Sequence, residues 1–212
     1  MKKYCLYFAL VWATINLSAC VSTSSGSAPL AKTDAATQAK DIARVHTELA
    51  SEYYSRSQYG VALEELNEAL KADPNYGPAF GLSGLVYMEL REDALAVKNF
   101  EQALRIDPTN SDANNNYGWY LCNRGQEANS IKYFLAAQKN PLYATPERSL
   151  LNAGICSRKM GDDAAAENYL RKALGQQPDL QQALFQLSDL HYKRNNLAES
   201  RAYMSRLMRN AE

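Results

Sequence analysis

Residues Gly77–Asn110 read GPAFGLSGLVYMELREDALAVKNFEQALRIDPTN. The stretch resolves into two short amphipathic segments joined by a tight turn and closed by Asp107-Pro108. Numbering it 1 to 34 puts Phe80 at position 4, Gly84 at 8, Tyr87 at 11, Ala96 at 20, Phe100 at 24, Ala103 at 27 and Pro108 at 32. Small residues at 8, 20 and 27 let two helices approach closely, and bulky residues at 4, 11 and 24 fill the space that remains. Pro108 has no amide hydrogen to continue a helix, so it helps to end the second segment. One such unit cannot bury its apolar face alone and makes sense only in a stack.

The same spacing recurs on both sides. Repeat one spans 43–76, with His46, Ala50, Tyr53, Ala62, Leu66, Ala69 and Pro74 in register, and its first helix is expected to start upstream, near Thr37. Repeat two is the quoted stretch. Repeat three spans 111–144 with Tyr117-Gly118, Ser130, Phe134 and Ala137; repeat four spans 147–180 with Leu150, Gly154, Ala166, Leu170, Ala173 and Pro178. Repeat five spans 181–212 with Leu184, Ser188, His191, Ser200, Met204 and Leu207. Gly84 to Gly118 is 34 residues but Gly118 to Gly154 is 36, and the irregular linker Asn140-Pro-Leu-Tyr-Ala-Thr-Pro146 takes up the difference. The 34-residue period and its residue pattern identify tandem tetratricopeptide (TPR) helix-turn-helix repeats. An all-α, right-handed α-solenoid of about ten helices is expected, with a concave groove lined by the first helix of each pair.

The N-terminus reads as a processing signal. Met1-Lys2-Lys3 is a basic start, Leu6–Ile15 is an apolar run too short to be a good spanning helix, and Leu17-Ser18-Ala19-Cys20 follows. That last tetrapeptide resembles the lipobox of bacterial lipoproteins, in which the cysteine takes a diacylglycerol and becomes the mature N-terminus. Residues 1–19 are therefore expected to be a signal peptide and Cys20 the lipidated residue, whose acyl chains would anchor the protein to a bilayer. Val21 rather than Asp follows Cys20, which by resemblance to Gram-negative sorting favours the periplasmic face of the outer membrane. Residues 20–38, rich in Ser, Thr and Ala, read as a flexible tether, with the TPR domain at 39–212. The chain has 23 Lys and Arg against 23 Asp and Glu, and loss of Lys2 and Lys3 with the leader leaves it about −2. It has no basic footprint for nucleic acid.

Catalytic constellations are hard to find in this sequence. The two histidines, His46 and His191, fall at positions 4 and 11, which the repeat uses for packing. Paired acids such as Glu64-Glu65 and Glu92-Asp93 are expected on solvated helix faces. No Cys/His set has metal-ligand spacing, and no Gly-rich loop matches a phosphate cradle. Neither enzyme activity nor a small-molecule substrate, cofactor or metal is expected, the lipid on Cys20 apart. Cys122 and Cys156 lie in the first helices of neighbouring repeats, at positions 12 and 10. In an oxidising periplasm a disulfide between them is favoured, the alternative being two buried thiols.

The groove is where function is expected. First-helix positions 2, 5, 6, 9 and 12 tend to face it. They include an apolar set, Tyr54, Leu82, Leu85 and Met88, followed by an amide-rich set with Asn115, Asn116, Trp119, Leu151, Asn152 and Ile155. An Asn side chain offers both donor and acceptor to an extended peptide backbone, and exposed aromatic and Met residues are common anchors. A protein or peptide ligand is expected.

Two segments go beyond the generic repeat: Asn114–Cys122, NNNYGWYLC, and Asn140–Glu147, NPLYATPE, continuing to Asn152–Cys156, NAGIC. With the lipobox, they resemble the type IV pilus biogenesis and stability lipoproteins, the PilF/PilW pilotin family, over essentially the whole mature chain. Such a resemblance implies an outer-membrane lipoprotein for type IV pilus biogenesis. It would act as a pilotin, binding secretin subunits and promoting their localisation and multimerisation, with other pilus assembly proteins as further expected partners. Five repeats are clear here where the family usually has six. The alternative is a general periplasmic TPR scaffold for envelope or outer-membrane assembly complexes.

Overall fold

The computed structural model describes residues 34–209, and the expected signal, Cys20 and nearly all of the tether lie outside them. Ten helices run in sequence: α1 (Ala35–Ser55), α2 (Tyr59–Ala72), α3 (Gly77–Glu89), α4 (Asp93–Ile106), α5 (Ser111–Asn123), α6 (Glu127–Ala137), α7 (Pro146–Lys159), α8 (Asp163–Gln176), α9 (Gln181–Lys193) and α10 (Leu197–Arg209). They pair as five antiparallel hairpins, one per expected repeat. The first helix starts earlier than the expected tether boundary at 38, because Asp34 caps it by accepting a hydrogen bond from the Thr37 amide at 2.7 Å.

Three of the five hairpins close on a glycine-against-large contact. A Cβ placed on Gly84 would lie 2.6 Å from the Phe100 ring, one on Gly118 2.8 Å from Phe134, and one on Gly154 2.7 Å from Leu170. Phe100, Phe134 and Leu170 are fully buried, as are Ala62, Ala96, Ser130 and Ala166 at position 20. The turn within each hairpin places one residue in the left-handed region: Ser57, Arg91, Gly125, Gly161 and Asn195, all at position 15 of their repeats. Three of the links between hairpins begin with an Asx turn followed by proline. Asp73 accepts from the Asn75 amide, Asp107 from that of Thr109 and Asn140 from that of Leu142, each at 2.9 Å.

The odd-numbered helices touch one another in succession, whereas among the described residues no two even-numbered helices are in contact. The odd helices therefore form the inside of the α-solenoid and the even ones its outside. The inner helices α5 and α7, which flank the two-residue insertion, are less closely associated than α3 and α5. There the Cys122–Cys156 disulfide bridges them, with Cα atoms 5.9 Å apart. One expectation about charged groups needs correction. Glu65 does not simply face solvent, because its carboxylate pairs with His46 Nδ1 at 2.7 Å across α1 and α2. His191 packs as its position in the repeat predicts: it is buried, stacked on Tyr203 at 5.6 Å and 3.5 Å from Glu167, with neither ring nitrogen hydrogen-bonded among the described residues.

Candidate functional site

The inner face encloses a cavity of about 260 Å³ to which all five odd helices contribute. Tyr54 comes from α1 and Leu85 from α3; Asn115, Asn116 and Trp119 come from α5. Arg148, Leu151 and Asn152 come from α7, and Gln182 from α9. An adjoining cavity of about 460 Å³ extends it past Leu82 and Pro78 towards Arg44, Glu48 and Asp112. Convergence follows from the repeat: one register places residues of successive first helices on one concave surface.

Eight of the ten expected groove residues are brought together: Tyr54, Leu85, Asn115, Asn116, Trp119, Leu151 and Asn152 in the inner cavity, and Leu82 in the adjoining one. Met88 and Ile155 are not. Met88 is 7% exposed and packs with Tyr120 and Leu121 of α5, so it belongs to the core and only floors a shallow pocket beside Trp119. Ile155 packs against the Leu-rich core between the fourth and fifth hairpins. Residues at position 2 of the repeats were missed as candidates. Arg44, Pro78, Asp112, Arg148 and Gln182 all line one cavity or the other, and a count of every position 2 would have found them.

Asn115 is 1% exposed, and its amide is occupied within the protein. Its Oδ1 accepts from Asn152 Nδ2 at 3.0 Å, and its own Nδ2 donates to Asn116 Oδ1 at 3.4 Å. The three amides form a ladder from α7 to α5 that ends in the Asn116 Nδ2 donor and the Asn152 Oδ1 acceptor, both without a hydrogen-bond partner among the described residues. Asn114, beside them in sequence, is structural: its Nδ2 donates to the carbonyls of Pro108 and Asn110 at 3.0 and 2.8 Å. Burial pushes the Tyr54 phenol up to about 12, and the Glu89 carboxylate acts in the same direction, so its hydroxyl remains a donor at neutral pH. Lys159 lies 5.8 Å from the centre of the Trp119 ring and donates to Asn123 Oδ1 at 3.2 Å. Among the described residues no three His, Cys, Asp or Glu side chains converge as a metal site.

The arrangement brings amide donors and acceptors, one guanidinium and apolar surface onto one concave face. Two models of the tetratricopeptide repeat match the chain, one over residues 47–111 and 158–212 and another over 99–132. The type IV pilus assembly protein PilF of Pseudomonas aeruginosa is 30% identical over 190 residues, or 89% of this chain and 73% of that protein. The chain belongs to the PilF/PilW-like family of TPR proteins. The crystal structure of PilW, a type IV pilus biogenesis factor, matches with a TM-score of 0.73 at 34% identity, covering 80% of this chain and 78% of PilW. A structure of P. aeruginosa PilF matches with a TM-score of 0.77 at 25% identity, covering 82% of this chain and 78% of that one.

Proposed function

We propose that this PilF/PilW-like chain is a pilotin for type IV pilus biogenesis: it binds secretin subunits and promotes their localisation to the outer membrane and their multimerisation there. The observation that carries the reading is a concave cavity with unused amide donors and acceptors, in a chain whose relatives are type IV pilus assembly proteins. Lipidation at Cys20 supplies the address and holds the solenoid on the periplasmic face of the outer membrane. The segment that follows Cys20 supplies reach, and the cavity holds a stretch of the secretin. Binding and delivery constitute the mechanism, and none of its steps requires a cofactor or bond cleavage.

The test is the state of the secretin in cells lacking this protein, read by membrane fractionation and unheated gel electrophoresis. Multimers are expected to be missing or mislocalised, and restored by the wild-type chain. Normal multimers in the outer membrane would replace the pilotin reading with that of a general periplasmic scaffold.

A further inference from the structure

The charge lining the inner cavity is not balanced, whereas the adjoining one carries Arg44 and Arg148 against Glu48 and Asp112. Arg44, on α1, holds Glu48 at 2.9 Å, Arg124 at the end of α5 holds Asp93 at 2.7 Å, and Arg158 on α7 holds Asp189 at 2.5 Å. Arg148 lies in the first turn of α7 and lines both cavities, yet among the described residues it has no carboxylate within 4 Å and no hydrogen bond through its guanidinium. Among the described residues it is the only charged one lining the inner cavity. The rest of that wall is three Asn and one Gln amide beside Tyr54, Leu85, Trp119 and Leu151. Asp112 stands at the rim of the adjoining cavity and does not enter the inner one.

We propose that the inner cavity is a carboxylate-directed peptide site, taking an extended segment whose main chain pairs with the Asn116–Asn115–Asn152 ladder and whose carboxylate seats on Arg148. The proposal rests on the reading that the cavity holds a segment of a partner, and adds the chemistry by which that segment is selected. The ladder's free donor and acceptor match the carbonyl and amide of one peptide unit, which gives binding without regard to side chain. A guanidinium presents paired N–H groups to a carboxylate, and such charge-assisted bonds are about twice as strong as neutral ones. The neighbouring apolar surfaces take uncharged side chains on either side. The carboxylate could belong to an acidic side chain or to a chain end, and both would meet the same guanidinium.

Three N-acetylated tripeptides separate the possibilities: dileucyl-aspartate with an amidated end, trileucine with a free end, and dileucyl-asparagine amide. Each is titrated into the full chain in detergent while the Arg148 Nε–H and the Asn116 and Asn152 side-chain amide signals are followed by NMR. At least one carboxylate peptide is expected to shift these signals saturably, binding about tenfold more tightly than the neutral peptide. Arg148→Ala is expected to abolish that preference, and Asn116→Ala to weaken all three peptides alike. A response to the aspartyl peptide alone, or to the free-ended peptide alone, supports the site and names the carboxylate's source. Equal binding of all three, or no shift at any of these signals, overturns it. In cells, secretin multimers that need this protein but are indifferent to Arg148→Ala would refute the site and leave the pilotin reading standing. Multimers that do not need the protein would refute the pilotin reading, while the tripeptide titration would still decide the site.

Discussion

At the scale of single residues, the hairpins are built from steric necessity and also carry a small strain. Arg91 sits at φ 64°, a conformation that costs an L-residue with a Cβ about 1 kcal/mol or more. Repeats three and four place Gly125 and Gly161 at the same position. Arg91 is exposed and engages no carboxylate, so Arg91→Gly is expected to stabilise the protein by about 0.5–1 kcal/mol, measured by urea unfolding. Gly84 presents the opposite case. Its Cβ would lie 2.6 Å from the Phe100 ring, and Phe100 is itself fully buried. Gly84→Ala is therefore expected to cost about 1–3 kcal/mol. A double-mutant cycle with Phe100→Leu should recover part of that loss, because the smaller side chain leaves room.

Helices and their junctions show why some of the site was legible in sequence and some was not. The 34-residue period fixes which helices are inner, so Tyr54, Leu85, Asn116 and Trp119 could be placed in the groove without coordinates. It does not say which neighbour covers a given position. Met88 and Tyr54 share position 12, yet Met88 is closed over by Tyr120 and Leu121 of α5 while Tyr54 opens onto the cavity. Charged substitution at Met88 would thus report on folding rather than binding, and Asn116 and Arg148 are the better probes. Partly buried ion pairs across junctions were equally out of reach, since they depend on which side chains meet between repeats. Arg158 of α7 donates to Asp189 of α9, and that hydrogen bond holds the Asp189 carboxyl below its ordinary value. A depressed folded pKa stabilises above the unfolded pKa of about 3.9, and the contribution is lost as pH falls through the lower folded value. Asp189→Asn should cost about 1 kcal/mol at pH 7, and the gap to wild type should close progressively below about pH 4, by thermal unfolding at several pH values.

For the molecule as a whole, the pilotin proposal divides the work between the stack as scaffold and a lipid on Cys20 as address. Each hairpin rests only on its neighbours, so a change in the N-terminal leader should not propagate into the repeats. Cys20→Ala is accordingly expected to give a folded solenoid with unchanged helical circular dichroism that no longer sediments with membranes. Secretin assembly that proceeds normally with that soluble protein would contradict delivery through the anchor.

The disulfide has a consequence for recognition as well as for the junction it bridges. Cys122 lies two helical turns from Asn115 on α5, and Cys156 one turn from Asn152 on α7, so the covalent tie and the amide ladder join the same two helices. The bridge sets their spacing when the protein oxidises, before any ligand arrives, and the conformational freedom of that pair has already been surrendered. A Cys122→Ala/Cys156→Ala variant should keep the contacts to a bound peptide but lose them more readily. In calorimetry the loss is expected to fall on the entropy of binding while the enthalpy stays nearly constant.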